Sequence, residues 1–139
     1  MLKIIQGDLF KSKDSIAHCI SADFKMGAGV ALEVRKRWIN KFPSMREGQV
    51  GSCFPVEIEK GRYIFNLITK NYYWEKPVLN SLRWALAHMF ALAKSGEVKN
   101  ISCPRIGCGI DQLEWSKVKT ILEDFCKKYP DINITVYEQ

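Results

Sequence analysis

The sequence predicts an α/β fold in which buried strands alternate with amphipathic helices around a mixed sheet. Three observations carry that expectation. Short apolar runs recur between segments of helical periodicity. The run "SIAHCI" (residues 15–20) is too continuously apolar for a half-solvated strand and reads as buried on both faces. Glycine pairs fall between strands and helices, in "MGAG" and in "GCG", and strand ends are where ligands gather in α/β proteins.

The elements follow in order. "LKIIQ" (residues 2–6) is a short strand that ends in a Gly-Asp turn, and residues 15–20 form the second strand. "GAGVALEVRKRW" (residues 27–38) is helical, with Val30, Val34 and Trp38 on one face. "VGSCFPVEIE" (50–59) and "RYIFNLIT" (62–69) are rich in β-branched and aromatic residues. Lys60-Gly61 separates them like a tight turn, which predicts adjacent strands. Over residues 79–94, Leu79, Leu82, Leu86, Met89, Phe90 and Ala93 make a helical stripe, with Gly96 just past its end. "KNISCP" (99–104) returns as a strand. Residues 114–128 form a helix with Trp115, Val118, Leu122 and Phe125 on one face, and "INITVY" (132–137) closes as a strand. With 139 residues and no repeats, linkers or low-complexity tracts, one domain with one good core is expected.

The net charge of +6 favours anionic partners such as nucleotides, phosphates or nucleic acid. The basic residues are spread along the chain, so a merely solvated surface accounts for the excess equally well. Five cysteines without CxxC spacing, beside two histidines, do not form a structural zinc pattern. They read as small apolar thiols of a reducing compartment, and no metal is expected. "MLKIIQGDLF" lacks the pattern of a signal peptide, and no apolar run approaches a membrane span. The expectation is an intracellular protein, in cytoplasm or nucleus, that does not engage a membrane.

The chemistry concentrates in three stretches. In "SADFKMGAGVAL", Gly27 and Gly29 precede a helix start, where backbone N–H groups and the helix end suit a phosphate. A tight strand-to-helix connection explains them as well. "RIGCGID" repeats the device with Gly107 and Gly109, and two such loops suit a ligand with two phosphates. GxxxxGK[ST] is absent, as are GxGxxG after the first strand and GxSxG. Those absences exclude a P-loop NTPase and disfavour a dinucleotide dehydrogenase and a nucleophile-elbow hydrolase. In "LITKNYYW", Lys70 closes an apolar strand, where desolvation favours a neutral, nucleophilic amine. A lysine pointing into water is the plainer reading. Tyr72, Tyr73 and Trp74 behind it suit either base stacking or a hydrophobic lid. Asp8 reads as a hydrogen-bond acceptor for a base amino group or as turn chemistry, and His18 as a core histidine.

Taken in order, "GDLF", "AHCISADFKMGAGVAL", "GRYIFNLITK", "PRIGCGID" and "ITVY" resemble the macrodomain superfamily. The resemblance runs from about residue 3 to 137. It is specific to the terminal ADP-ribose protein glycohydrolase branch, which groups with the macrodomain of a bacterial DNA ADP-ribosylation antitoxin. It implies a three-layer α/β/α macrodomain with a central mixed sheet that binds ADP-ribose and needs no cofactor. Asp8 would contact the adenine, and Leu9 beside it would also belong to the ADP-ribose site. Ser21 and the loop Met26, Gly27, Ala28, Gly29 and Val30 would line the distal ribose and phosphates. The loop Ile106, Gly107, Cys108, Gly109 and Ile110 would wrap the diphosphate, with Pro104 and Arg105 also among the ADP-ribose-binding residues. Lys70 and Asp111 map to the catalytic lysine and aspartate of that branch.

The implied activity is removal of mono-ADP-ribose ester-linked to glutamate or aspartate, through a covalent lysine adduct, with O-acetyl-ADP-ribose as a further substrate. The implied partners are ADP-ribose, ADP-ribosylated proteins and ADP-ribosylated nucleic acid, met by a monomer. A non-catalytic ADP-ribose reader, an ADP-ribose-1″-phosphate phosphatase and a DNA-directed ADP-ribosyl hydrolase are the alternatives. The stretch from Arg35 to Gly48 matches no signature of the family, and "NYYWEKP" is more aromatic than the family pattern.

Overall fold

The structure, a computed structural model, describes residues 1–44, 46, 48–109 and 111–139. Six strands form one sheet: β1 (Leu2–Gln6), β2 (Ser15–Ser21), β3 (Ser52–Glu59), β4 (Arg62–Lys70), β5 (Asn100–Cys103) and β6 (Asn133–Glu138). Three helices cover it: α1 (Gly29–Trp38), α2 (Leu79–Ser95) and α3 (Trp115–Lys128). The strand order is β1-β6-β5-β2-β4-β3, and among the described residues only the β3–β4 pair is antiparallel. The expected mixed α/β sheet is therefore what forms.

Alternation along the strands sorts side chains into two cores. Ala17, Phe65 and Leu67 face α2 and α3, together with Leu82, Leu86, Met89, Phe90, Val118 and Leu122. Ile16, Ile20, Ile64 and Ile68 face the other way, against Val34 of α1. The result is a three-layer α/β/α sandwich. Phe90 and Phe125 stack at 5.1 Å and join α2 to α3. Each buried leucine or isoleucine contributes at most roughly 1.5–3 kcal/mol, set against an extended unfolded chain.

The predicted stripes lie where they should. Val34 is fully buried, while Val30 and Trp38 pack at the edge of their core. Pro55 sits in β3, an edge strand that pairs only with β4, where a missing N–H costs the ladder least. Two details differ from the expectation. The first helix begins at Gly29, so Gly27 and Ala28 belong to the preceding loop. Short 3-10 turns at Leu9–Lys11 and Ile39–Lys41 carry too few residues for a periodic signal.

Five strands are mutually parallel, so their C-terminal ends share one edge of the sheet. That edge gathers Asp8, the loop after Ser21, Lys70 and the loop after Cys103. No helix among the described residues is long and apolar enough to cross a membrane.

Candidate active site

Lys70 ends β4 and Asp111 lies in the loop after β5, the two strands that flank β2. Lys70 Nζ donates to Asp111 Oδ1 at 2.6 Å, and the two side chains are only 11% and 14% exposed. The water-pointing lysine is thus not what forms. The β2–β4 register explains the aim. Ile20 pairs with Ile68 but Ser21 pairs with Lys70, so Thr69 is an extra residue and the alternation breaks just before the lysine. A bulge of this kind re-aims the side chain that follows it. Ala22 N–H then bonds Lys70 O at 2.8 Å and closes the ladder.

The loop from Ala22 to Ala28 is shaped by strain and by one carboxylate. Phe24 and Met26 take left-handed φ values of 54° and 49° although both side chains are buried, a conformation that surrounding packing must impose. Asp23 accepts from Ser21 Oγ at 2.5 Å, Lys25 N–H at 3.1 Å and Tyr73 N–H at 3.3 Å. Burial works to raise the Asp23 pKa, and these hydrogen bonds, with the Lys25 charge, outweigh it and hold the carboxyl below its usual value. Ala28 caps α1 without a side-chain hydrogen bond. The first N–H groups of the helix therefore have no side-chain acceptor at the cap.

The second loop is a chain of tight turns. Cys108 N–H bonds Arg105 O at 3.1 Å, Gln112 N–H bonds Gly109 O at 3.1 Å, and Leu113 N–H bonds Gly107 O at 2.7 Å. Gly107 has φ +74°, and a methyl there would lie 2.8 Å from Leu113 Cδ1. Its glycine is needed by the fold. Gly27 and Gly109 differ: neither has a positive φ, and a methyl on either would meet no atom within 4 Å. Nothing among the described residues requires a glycine at those two positions. Open backbone on both loops is what a ligand approaching the main chain requires.

The remaining expected residues divide. Asp8 Oδ1 accepts from Phe10 N–H at 2.9 Å and caps the 3-10 turn, so its turn chemistry is real. Leu9 and Ile106, at 5% and 2% exposure, place their side chains in the cores. Val30 packs against the α1 side, and Pro104 leads into the loop half-buried. Arg105 is held by Glu138 and lies 5.3 Å from the Trp115 ring. Ile110 lies outside the described residues.

Three thiols lie close to one another, and one of them, Cys19, neighbours Asp111. Cys19 feels the charge of Asp111 and the Gly107 backbone, and Cys103 and Cys108 lie beside it. Burial pushes Cys19 and Cys108 up and raises Cys103 to about 12. Thiols in that state are not nucleophiles near neutral pH. His18 is buried on β2, with Nε2 2.6 Å from Asn66 Oδ1. It is a core histidine, as expected, but not the satisfied one expected: its Nδ1 is buried without a hydrogen-bond partner among the described residues. Among the described residues, no three His, Cys, Asp or Glu side chains are grouped to hold a metal ion.

No family model matches the chain. The ADP-ribose glycohydrolases OARD1 of Bos taurus and Homo sapiens are each 38% identical to it over 135 residues, spanning 96% of this chain and 88% of the relative. The chain belongs to the macrodomain superfamily. It falls in the branch of those glycohydrolases. The solved macrodomain of Mycobacterium tuberculosis DarG superposes with a TM-score of 0.90 at 21% identity, over 100% of this chain and 98% of that one.

Sequence reasoning missed two features of this macrodomain site. Gly48 has backbone where a side chain would stand: a methyl on it would lie 2.9 Å from Ala22 Cα and from Ile68 Cδ1. A glycine in a stretch with no signature gave no signal. The Thr69 bulge left none either, since an extra strand residue has no compositional mark.

Proposed function

We propose that this macrodomain hydrolase binds ADP-ribose across its two glycine loops and removes single ADP-ribose groups ester-linked to glutamate or aspartate side chains. The observation that carries the reading is the 2.6 Å Lys70–Asp111 contact between those loops, in a chain 38% identical to ADP-ribose glycohydrolases. In this reading Asp8 contacts the adenine, with Leu9 beside it in the ADP-ribose site. Ser21 and Met26 to Val30 line the distal ribose and phosphates, and the loop from Ile106 to Ile110, whose described residues reach Gly109, wraps the diphosphate. The open backbone at Gly27 and Gly109 supports that placement.

Chemically, Lys70 Nζ gives a proton to Asp111, the base within hydrogen-bond reach, and attacks the anomeric carbon of the distal ribose. The bond from that carbon to the ester oxygen breaks, and the acceptor leaves as a carboxylate. Water then adds its oxygen to the anomeric carbon of the lysine adduct. Its proton passes through Asp111 to the departing amine, which restores the site and frees ADP-ribose. An acetyl ester carried on the anomeric carbon of the same ribose would leave as acetate in the same step, so O-acetyl-ADP-ribose bearing its acetyl there is a further substrate. The raised thiols of Cys19, Cys103 and Cys108 favour the amine over sulfur as nucleophile. The reading takes the chain as one domain acting as an intracellular monomer without a cofactor.

The test is release of free ADP-ribose from a glutamate-modified protein, wild type beside Lys70→Ala, with ADP-ribose affinity measured by calorimetry. Wild type releases it; the variant does not, and its affinity stays within a few-fold. A variant that turns over near the wild-type rate would refute the lysine mechanism. Binding without release by wild type would make the chain a reader of ADP-ribose.

A further inference from the structure

The chain beyond Lys70 is fixed by its backbone and not by burial of its rings. Tyr72, Tyr73 and Trp74 are 50%, 55% and 65% exposed. Yet the N–H groups that follow the lysine are received by carboxylates. Glu75 Oε1 accepts from Asn71 N–H at 2.9 Å and Tyr72 N–H at 2.8 Å, while Asp23 Oδ2 accepts from Tyr73 N–H at 3.3 Å. Glu75 belongs to the same segment, so its bonds shape the turn and nothing else. Asp23 belongs to the loop after β2, so its bond ties the segment to a second part of the site.

The two oxygens of Asp23 serve different elements. Oδ1 accepts from Ser21 Oγ at 2.5 Å and Lys25 N–H at 3.1 Å, and so folds its own loop. Oδ2 is given to Tyr73. A residue that only shaped its own loop would need Oδ1 alone. The loop is a firm base for the outward bond, because the side chains of Phe24 and Met26 are buried. Ala22 N–H, next to Asp23, already bonds Lys70 O at 2.8 Å. Lys70 is therefore bracketed: Ala22 holds its carbonyl, and Asp23 holds the chain at Tyr73.

A long side chain magnifies any slack in that bracket. Nζ stands about 6 Å from Cα in an extended lysine, so a tilt of the strand end by about 10° moves it by roughly 1 Å. A misplacement of that size costs up to about a hundredfold in a reaction that depends on the geometry of approach.

We infer that Asp23 is a positioning residue for Lys70, acting through the Tyr73 N–H to keep the lysine on Asp111 and in step with the loop after β2. Its effect on rate rests on the proposed hydrolase reading. Its effect on the Lys70–Asp111 contact does not.

Asp23→Asn separates the two oxygens. An amide has one acceptor oxygen, and the Ser21 and Lys25 donors hold it at the Oδ1 place. Its NH2 then faces Tyr73 N–H, and the bond between the segments is cut. Tyr73→Pro cuts the same bond from the other side by removing the N–H. Glu75 N–H bonds Tyr72 O at 3.0 Å, so residue 73 is the second of a β-turn, where proline is accepted. Tyr73→Pro is read against Tyr73→Ala, which also lacks the ring but keeps the N–H.

In the free protein, the bond to Asp111 slows exchange of the Lys70 ammonium protons, so their signal is visible in a proton–nitrogen correlation spectrum. The signal persists in wild type and Tyr73→Ala and is lost in Asp23→Asn and Tyr73→Pro. Single-turnover release of ADP-ribose from a glutamate-modified protein slows about three- to tenfold in each bond-cutting variant against its own reference. The calorimetric Kd for ADP-ribose stays within about twofold, because the loop keeps its Oδ1 bonds. A raised Kd with an unchanged single-turnover rate would mean that Asp23 only shapes its loop, and overturns the inference. So does a Lys70 signal that survives in both bond-cutting variants, or an Asp23→Asn slowing that multiplies in full with that of Tyr73→Pro in the double variant. If wild type releases no ADP-ribose while the Lys70 signal follows the expected pattern, the hydrolase reading falls and the positioning role stands.

Discussion

Replacing Gly109 and Gly107 separately by alanine distinguishes a glycine kept for a ligand from one kept for the fold. At Gly109 an added methyl meets nothing within 4 Å and φ is not positive, so Gly109→Ala changes stability by less than about 0.5 kcal/mol. Gly107 has φ +74°, and its added methyl would lie 2.8 Å from Leu113 Cδ1 and 3.3 Å from Leu82 Cδ2. The left-handed backbone costs alanine about 1–2 kcal/mol. Leu113 can turn the end of its side chain aside, which adds about 1 kcal/mol or less. Gly107→Ala therefore loses about 1–3 kcal/mol, a fall in Tm of about 3–10 °C for a chain of this size. Affinity ranks the two positions differently. In the proposed site a methyl at 109 holds the diphosphate off the loop and removes a hydrogen bond to a charged oxygen. Such a bond is worth about 1.5–3 kcal/mol, so Kd for ADP-ribose rises by about ten- to a hundredfold. Thermal melting and calorimetry on both variants read the two effects. If Gly109→Ala binds ADP-ribose as tightly as wild type, the diphosphate does not lie on this loop and the placement of the ligand is wrong.

Two further substitutions probe the scaffold. Burial takes the His18 pKa down to about 4, against a partial lift from Asn66; a lowered folded pKa means stability is complete above the unfolded value and is lost as pH falls towards 4. Between pH 7 and pH 5 wild type should lose roughly 2 kcal/mol through this group. His18→Gln should lose correspondingly less in urea unfolding at the two pH values, and equal losses would show that His18 is not what is being titrated. Gly48→Ala meets the Ala22 backbone at 2.9 Å, and Ala22 is anchored to Lys70 O. It should cost about 1–3 kcal/mol and weaken ADP-ribose binding together, since the loop after β2 must move. An unchanged melting temperature would show that the close approach is absent.

The layering of this macrodomain was readable because its strands and helices carry strong periods. The continuous run at residues 15–20 marked a strand covered on both faces, and the stripe from Leu79 to Ala93 marked the helix that covers it. Lys70 was singled out by its place at the end of an apolar strand and Asp111 by the family resemblance, but their contact was not readable. They are 41 residues apart, and only the placement of β2 between β4 and β5 brings them together. The break in alternation at Thr69 had no sequence mark, and without it β4 would direct Lys70 to the face that Ile68 occupies. Leu9 and Ile106 show the same limit at smaller scale. Their places in the two loops were legible, while the burial of their side chains depends on layers that meet only in the folded chain.

The two glycine loops and the lysine also bear on one another through geometry. On the proposed chemistry the diphosphate lies on the loops, where backbone N–H groups at the start of α1 and along the Arg105–Gly109 turns meet its charge. The Lys70–Asp111 pair, only 11% and 14% exposed, sits between those loops. The open backbone at Gly27 and Gly109 then does more than hold the ligand. By fixing the phosphates it sets the anomeric carbon against Lys70, so a loop that binds the diphosphate poorly should also react slowly once ADP-ribose is bound.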